Sequence, residues 1–298
     1  MFRRINRTLP LHLMLLPGLA LILVYSYGPM TGLWIAFENY VPSKGIFHSP
    51  FVGLDNFKYV WDMPDTAQVL TNTVVIALFK IVLSLVFPIL LALLLNEVRI
   101  KFVKRGVQTL IYVPYFFSWV LLSGILIDIL SPSEGIVNKL IQSVGMKPVF
   151  FLGDPAWFRF TIVVSDLWKE SGFHTIVFLA AITSVDPTLY EASIIDGANR
   201  WKQTRHVTLP AMMPIIVLVA TLSLGNVLNA GFDQIFNLYS PQVYSTGDII
   251  DTMVYRIGMI DTQYGVATAV GLFKSLVSCL FIGISYFLAY RLVNYRIF

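Results

Sequence analysis

The chain has 298 residues, of which 56% are hydrophobic and 13% charged, with a net charge of +4 and a mean hydropathy of +0.73. Apolar blocks of about 20 residues or more, the length that a helix needs to cross a bilayer, exclude an ordinary soluble globule. The single cysteine, Cys279, excludes an intrachain disulfide.

Six apolar blocks follow one another along the chain. They cover residues 11–36, 71–95, 108–130, 158–183, 211–235 and 265–290. Only helices and closed barrels satisfy backbone hydrogen bonds in lipid, and these blocks are continuous rather than alternating in polarity. The sequence therefore predicts an all-α polytopic membrane protein with six transmembrane helices in a single domain over residues 1–298. Pro17, Pro88 and Pro114 are expected to kink the first three helices.

The basic residues predict the orientation of the helices, because Lys and Arg collect in cytoplasmic loops. With the N-terminus inside, twelve of the 21 basic residues are cytoplasmic. They are Arg3, Arg4, Arg7, Arg99, Lys101, Lys104, Arg105, Arg200, Lys202, Arg205, Arg291 and Arg296. Both termini are then cytoplasmic. Anionic lipid beside these loops accounts for the net positive charge without a nucleic-acid partner.

The loop between the fourth and fifth helices, "LYEASIIDGANRWKQTRHVTLP", is unusually polar for this chain. Its pattern predicts two short helices. Asp186 caps the first, and Gly197 ends it in a left-handed turn. Asn199 caps the second, which is expected to end near Leu209 and Pro210.

Two interpretations of this loop are open: a solvated connection, or a docking element whose apolar side chains fill the groove of a partner. The large apolar side chains are Leu189, Tyr190, Ile194, Ile195 and Trp201.

The loop resembles a known signature. "EASIIDG", followed nine residues later by "VTLP", is similar to the pattern E-A-A, three residues, G, nine residues, I-x-L-P of binding-protein-dependent ABC importer permeases. Ser193 replaces the third alanine and Val207 the isoleucine. The matching residues are Glu191, Ala192, Gly197, Leu209 and Pro210.

Further stretches resemble one branch of that family, which imports oligosaccharides and polysaccharide fragments such as those of alginate or pectin. They are "YGPMTGLWIAFENYVPSKG", "FVGLDNF", "YVPYFFSWV", "LWKESGF", "GFDQIFNLYSPQV" and "AVGLFKS". The resemblance covers nearly the whole chain.

The resemblance implies a type I ABC importer permease in a bacterial inner membrane. The expected partners are a second homologous permease, usually different, two ATPase subunits and an extracytoplasmic solute-binding protein. ATP and Mg would bind the ATPase subunits, and this chain would bind no cofactor. The loop would be the coupling helix, with Glu191 facing a basic residue of the ATPase. The residues assigned to coupling are Leu189, Tyr190, Glu191, Ala192, Ser193, Ile194, Asp196, Gly197, Leu209 and Pro210.

Motifs of enzymes are absent from the sequence. There is no G-x-x-x-x-G-K-[ST] phosphate loop, no H-E-x-x-H pair and no G-x-S-x-G elbow, and the four histidines are scattered. We therefore predict no catalytic residue and no metal site in this chain.

Polar side chains inside the spans predict a translocation path, because a charge at mid-bilayer usually faces a bundle interior or a water-filled cavity. The candidate residues are Lys80, Trp119, Asp166, Trp168, Lys169, Glu170, Asn226, Asn229, Asp233 and Lys274. The alternatives are an ion pair within the fourth helix, hydrogen bonds between helices, and tryptophans that anchor the membrane interface.

The three lysines among these residues favour an acidic oligosaccharide, whose carboxylates can pair with ammonium groups away from bulk water. Asp166 and Glu170 would counteract that preference by pairing with the lysines themselves. A secondary transporter and a non-transporting membrane assembly subunit remain alternative functions, although neither uses an ATPase-docking loop.

Overall fold

The computed structural model describes residues 2–293 of the chain. Of the basic residues assigned to the cytoplasm, the side chains of Arg3, Arg4 and Arg7 and all of Arg296 lie outside the described part. The regular secondary structure of the described residues is helical, and their only strand-like pairing is one isolated antiparallel bridge between Glu38 and Phe51. The predicted all-α class is confirmed.

The α-helices are numbered in chain order. They are α1 (Phe2–Ile22), α2 (Asp55–Asp62), α3 (Thr66–Glu97), α4 (Lys101–Tyr112), α5 (Trp119–Leu130), α6 (Ile136–Ser143), α7 (Pro155–Thr183), α8 (Pro187–Ile195), α9 (Arg200–Gln203), α10 (Leu209–Gly225), α11 (Phe232–Leu238), α12 (Tyr244–Gly247), α13 (Ile250–Tyr255) and α14 (Tyr264–Val293). The described residues divide into two compact units, one within Met1–Pro64 and Val254–Phe273 and the other within Asp65–Met253 and Lys274–Phe298.

The first unit contains the N-terminal span. From α1 the chain continues without a break through a π-helical turn, Leu23–Tyr27, and a 3-10 helix, Gly28–Phe37. The side-chain amide of Asn56 donates hydrogen bonds of 2.9 Å to the carbonyl oxygens of Ala36 and Glu38 and so ends this span against α2. The span therefore matches the predicted block at residues 11–36.

The second unit is built on α3 and α7, which pack along each other. One buried cluster joins Ile76 of α3, Phe158 and Ile162 of α7, and Ile235 of α11. In lipid such contacts stabilise the fold through close packing, because no water is displaced when helices associate there.

Within residues 2–293, four helical segments are long and apolar enough to cross a membrane, and the number is six if each of two bent helix pairs counts as one span. The predicted blocks at residues 71–95, 158–183 and 265–290 correspond to α3, α7 and α14. Pro17 and Pro88 lie inside helices that continue past them.

The third predicted span, residues 108–130, is not one straight helix. The segment Lys101–Phe116 meets Trp119–Leu130 at an angle of 110°. Pro114 lies in the 3-10 turn Val113–Phe116, which ends the first of these segments, and the hydroxyl of Ser118 caps α5 by accepting from the backbone N–H of Leu121. The kink expected at Pro114 is confirmed. The bend is large because α5 begins as a separate helix, with its own cap, directly after the turn that contains Pro114.

The fifth predicted span, residues 211–235, is also interrupted, because α10 ends at Gly225 and the helix resumes only at Phe232. Gly231, with φ of +95°, takes a left-handed conformation that ends any regular helix. The prediction of a continuous helix up to Ile235 is therefore wrong.

The end predicted for the second loop helix near Leu209 and Pro210 is wrong as well. The helix runs without a break from Arg200 to Gly225. Between α9 and α10 the residues Thr204–Thr208 form a π-helical turn, in which the backbone N–H of Leu209 donates to the carbonyl of Thr204. A π-helical turn shifts the bonding register by one residue, so the helix accommodates Pro210, which has no N–H to donate.

Candidate functional site: the knuckle and the polar cavity

The polar loop forms a bent pair of helices, which we call the knuckle (residues 186–208). The carboxylate of Asp186 accepts the backbone N–H of Thr188 at 2.9 Å and caps α8. This hydrogen bond lowers the pKa of the Asp186 carboxyl below its ordinary value, so the cap is charged at neutral pH. Asn199 caps α9 by accepting the N–H of Lys202 at 2.9 Å. Both predicted caps are confirmed.

The turn between the two knuckle helices is a Schellman motif. The N–H of Ala198 donates to the carbonyl of Ser193 at 2.9 Å, and the N–H of Gly197 donates to that of Ile194 at 3.0 Å. Gly197 has φ of +74°, as the sequence predicted. A side chain there would meet nothing within 4 Å, so glycine is required by the backbone conformation and not by lack of space.

The knuckle carries a row of exposed apolar side chains. Ile195 is 86% exposed and Trp201 is 71% exposed. Leu189 and Ile194 are also exposed, and so are Glu191, Ala192 and Asp196, whereas Ser193 and Leu209 are partly covered. The residues that resemble the signature thus lie on a short segment that is open to a partner.

Tyr190 has a different role from its apolar neighbours, because its side chain faces the chain itself. Its hydroxyl lies 2.9 Å from the hydroxyl of Thr208, the last residue before α10. This contact ties α8 to the base of the following span.

A polar cavity of about 440 Å³ lies in the second unit, between α3, α5, α7 and the interrupted fifth span. Six of the ten predicted pathway residues line it: Lys80, Trp119, Asp166, Glu170, Asn226 and Asn229. Ser84 and Ser223 also line the cavity and were not predicted, because a single serine in an apolar block is too common to be a signal.

Four predicted pathway residues do not line this cavity. Trp168 lies on a separate apolar groove beside Phe160 and Val164. Asp233 is exposed in the first turn of α11, and Lys274 forms an ion pair with Asp251.

The fourth of these, Lys169, is buried behind the cavity wall. Its ammonium donates to the carbonyl of Tyr115 at 3.1 Å and pairs with Glu170 at 3.2 Å. It also lies 5.1 Å from the ring centroid of Tyr115 and 5.6 Å from that of Trp119, which is within the range of cation–π attraction. The predicted ion pair within the fourth span is therefore present, with Glu170 as the partner.

Asp166 pairs with a lysine of another helix instead. Its carboxylate lies 2.9 Å from the ammonium of Lys80. The side chains of Asp166 and Glu170 are 16% and 29% exposed, whereas those of Lys80 and Lys169 are each 10% exposed. The cavity therefore presents carboxylate and amide oxygens more openly than ammonium groups, and these oxygens suit hydrogen bonds from hydroxyl groups.

Comparison with known proteins gives a family and close structural relatives. A family model described as the binding-protein-dependent transport system inner membrane component matches residues 84–297. Protein LplB of Bacillus subtilis (strain 168) is 43% identical over 272 residues, which are 91% of this chain and 86% of that protein. The polygalacturonan/rhamnogalacturonan transport system permease protein YteP of the same strain is 42% identical, covering 91% of this chain and 85% of that protein.

A solved structure has nearly the same fold over the same length. A chain from a bacterial ABC transporter involved in the import of the acidic polysaccharide alginate has a TM-score of 0.91 and 37% identity, covering 98% of this chain and 99% of that one. A chain of a bacterial alginate ABC transporter in complex with an alginate pentasaccharide-bound periplasmic protein also has a TM-score of 0.91, with 36% identity, covering 99% of this chain and 98% of that one. This chain therefore belongs to the family of inner membrane components of binding-protein-dependent transport systems, and it has the fold of an ABC importer permease.

Proposed function

We propose that this chain is the permease subunit of an ATP-driven importer of oligosaccharides or polysaccharide fragments. The observation that carries the proposal is the polar cavity, in which Trp119 and the side chains of Glu170 and Asn229 face one space of about 440 Å³. Aromatic faces together with carboxylate and amide groups provide the apolar surface and the hydrogen-bond partners that a sugar ring needs. The relatives' names, which refer to polygalacturonan, rhamnogalacturonan and alginate, support the carbohydrate class.

Within that class we propose an acidic substrate, and the support comes from the alginate importers rather than from the lysines. Lys80, Lys169 and Lys274 each have a carboxylate partner within this chain. An acidic sugar would have to compete with those partners, so the lysines are weaker support than their positions in the sequence indicated.

The knuckle is proposed as the contact with an ATPase subunit. Ile195 and Trp201 would fill an apolar cleft of that subunit, and the exposed Glu191 would meet a basic residue at its edge. ATP-driven movement of the ATPase would then reach the cavity through the helix that runs from Arg200 to Gly225.

The remaining parts of the proposal concern assembly. A second homologous permease, two ATPase subunits and an extracytoplasmic binding protein complete the transporter, and the binding protein delivers the sugar. The chain acts as one transmembrane domain, with both termini and the knuckle in the cytoplasm. ATP and Mg bind the ATPase subunits, and no cofactor binds here.

The test is ATP hydrolysis by the reconstituted complex with its binding protein, titrated with acidic and neutral oligosaccharides of equal length. We expect the acidic series to stimulate hydrolysis and the neutral series to have little effect. Stimulation by the neutral series alone would keep the importer and contradict the acidic substrate. If no sugar stimulates hydrolysis while the binding protein is loaded, the carbohydrate assignment is wrong.

A further inference from the structure

The break in the fifth span is held by a lysine from another helix. Between α10 and α11 the carbonyl oxygen of Ala230 accepts a hydrogen bond of 2.7 Å from the ammonium of Lys80 on α3. The same ammonium donates to the side-chain carbonyl of Gln234, in the first turn of α11. One cation thus binds the backbone of the break and the start of the helix that follows.

The contacts of Gln234 extend this network to α7. Its side chain is fully buried, and its amide donates to the carbonyl of Ile162 and the hydroxyl of Ser165, both at 2.8 Å. Asp166, also on α7, completes the set through its ion pair with Lys80. We call Lys80, Asp166, Ala230 and Gln234 the clasp. It joins α3 and α7, the rigid core of this unit, to the interrupted span.

Glycine at position 231 makes room for the clasp. A Cβ atom built there would lie 2.9 Å from the ammonium of Lys80, closer than side-chain atoms normally approach. The left-handed φ of +95° independently disfavours any other residue. The backbone conformation and the proximity of the Lys80 ammonium therefore both favour glycine at position 231.

The clasp lies at the far end of the helix that starts in the knuckle. The unbroken segment Arg200–Gly225 has 26 residues, a length of about 39 Å at 1.5 Å per residue. A continuous helix carries a displacement of one end to the other, and only four residues separate its last residue, Gly225, from Ala230 of the clasp. A shift of the knuckle therefore acts on the short segment that the clasp holds.

The clasp also forms part of the cavity wall. Lys80, Asp166 and Ala230 line the cavity, so a substrate group that hydrogen-bonds to Asp166 competes with Lys80 for the same carboxylate. The same ion pair is thus accessible from the cavity and connected to the knuckle.

We propose that Lys80 is a positioning residue of the transport cycle, whose clasp holds the break of the fifth span in its resting arrangement until substrate in the cavity loosens it. The inference rests on the proposed function. The clasp restrains α10, and through it the knuckle, and so keeps ATP hydrolysis low in the absence of substrate. Occupation of the cavity weakens the Lys80–Asp166 pair and frees α10 to follow the ATPase.

The experiment compares ATP hydrolysis by the complete reconstituted transporter with and without sugar-loaded binding protein. Lys80→Met, which removes the cation and keeps the length of the side chain, is expected to raise unstimulated hydrolysis on the order of fivefold and to lower the stimulation ratio accordingly. Asp166→Asn, which is isosteric and keeps an acceptor, is also expected to raise unstimulated hydrolysis and to lower the stimulation ratio. Each change should be smaller than in Lys80→Met. If the Lys80→Met variant fails to assemble, the Asp166→Asn variant tests the role of the Lys80–Asp166 pair in its place.

The control is Lys58→Met, which removes another Lys–Asp contact, the exposed pair of Lys58 with Asp55 at 3.4 Å. It should leave the stimulation ratio at the wild-type value. A purely structural role of Lys80 would lower stimulated and unstimulated hydrolysis in proportion. That result, or an unchanged stimulation ratio in Asp166→Asn, would contradict the proposed role of the clasp. Failure of the wild-type complex to respond to loaded binding protein would instead contradict the proposed function.

Discussion

Gly197 shows how one residue shapes the surface that we propose as the contact with the ATPase. Its left-handed backbone lets the N–H groups of Gly197 and Ala198 close the end of α8, so α9 can start soon afterwards in a new direction. The exposed side chains of Ile195 and Trp201 flank this bend. Their relative placement depends on the turn, because the two helices that carry them meet there.

Replacing Gly197 with proline should abolish binding of the ATPase subunit. Proline holds φ near −65° and has no N–H to donate to Ile194, so both the turn and its hydrogen bond are lost. The measurement is co-purification of the co-expressed ATPase with the variant chain.

A matched control exists within the same unit. Gly145 ends α6 in the same motif, with φ of +82° and hydrogen bonds from Gly145 to Gln142 at 2.9 Å and from Met146 to Ile141 at 3.2 Å. Gly145→Pro should disturb the backbone equally and leave ATPase binding intact. If Gly197→Pro binds the ATPase as well as Gly145→Pro does, the knuckle is not the docking element.

At the scale of whole elements, the contact between α4 and α7 depends on the absence of a side chain. A Cβ atom at Gly172 would lie 2.6 Å from the carbonyl oxygen of Ile111, so the two helices approach each other at backbone distance. Small residues at such crossings are typical of membrane helices.

Gly172→Leu should therefore destabilise the protein by about 1–3 kcal/mol, the usual cost of overpacking a filled site. Thermal unfolding in detergent measures this loss as a lower midpoint. Gly124→Leu is the control, because a Cβ atom at Gly124 of α5 would meet nothing within 4 Å. Equal midpoints for the two variants would contradict a close approach of α4 and α7.

The elements also show what sequence reasoning can and cannot supply. The cap at Asn199 and the turn at Gly197 depend on local residue preferences, so the sequence predicted both. The interruption of the fifth span includes a contact with Lys80, which is 150 residues from Ala230 in sequence. Hydropathy is high on both sides of the break and therefore predicted one continuous helix across it.

For the candidate cavity, too, some features could be predicted from the sequence and others could not. The polar faces of α7 and of the fifth span could be recognised from residue spacing, and Asp166, Glu170 and Asn229 do line one space. Spacing along a helix does not reveal a partner on another helix, so the pairing of Asp166 with Lys80 could not be chosen over its alternative partner Lys169. The preference for an acidic substrate was for this reason drawn from lysines that each have a carboxylate partner in the structure.

At the scale of the whole molecule, the continuous helical segment Arg200–Gly225 connects the knuckle with the wall of the polar cavity, to which it contributes Ser223. In the proposed importer the energy for transport arrives from the ATPase subunits, and this segment is the route by which we propose that it reaches the cavity. Transport without the ATPase is therefore not expected.

The central measurement is uptake of a labelled acidic oligosaccharide into proteoliposomes that contain the complete transporter, with the binding protein outside and ATP inside. We expect accumulation in the wild type that requires both ATP and the binding protein, and its loss in Gly197→Pro while Gly145→Pro retains it. Accumulation without ATP, or equal accumulation in the two variants, would contradict an importer that is driven through the knuckle.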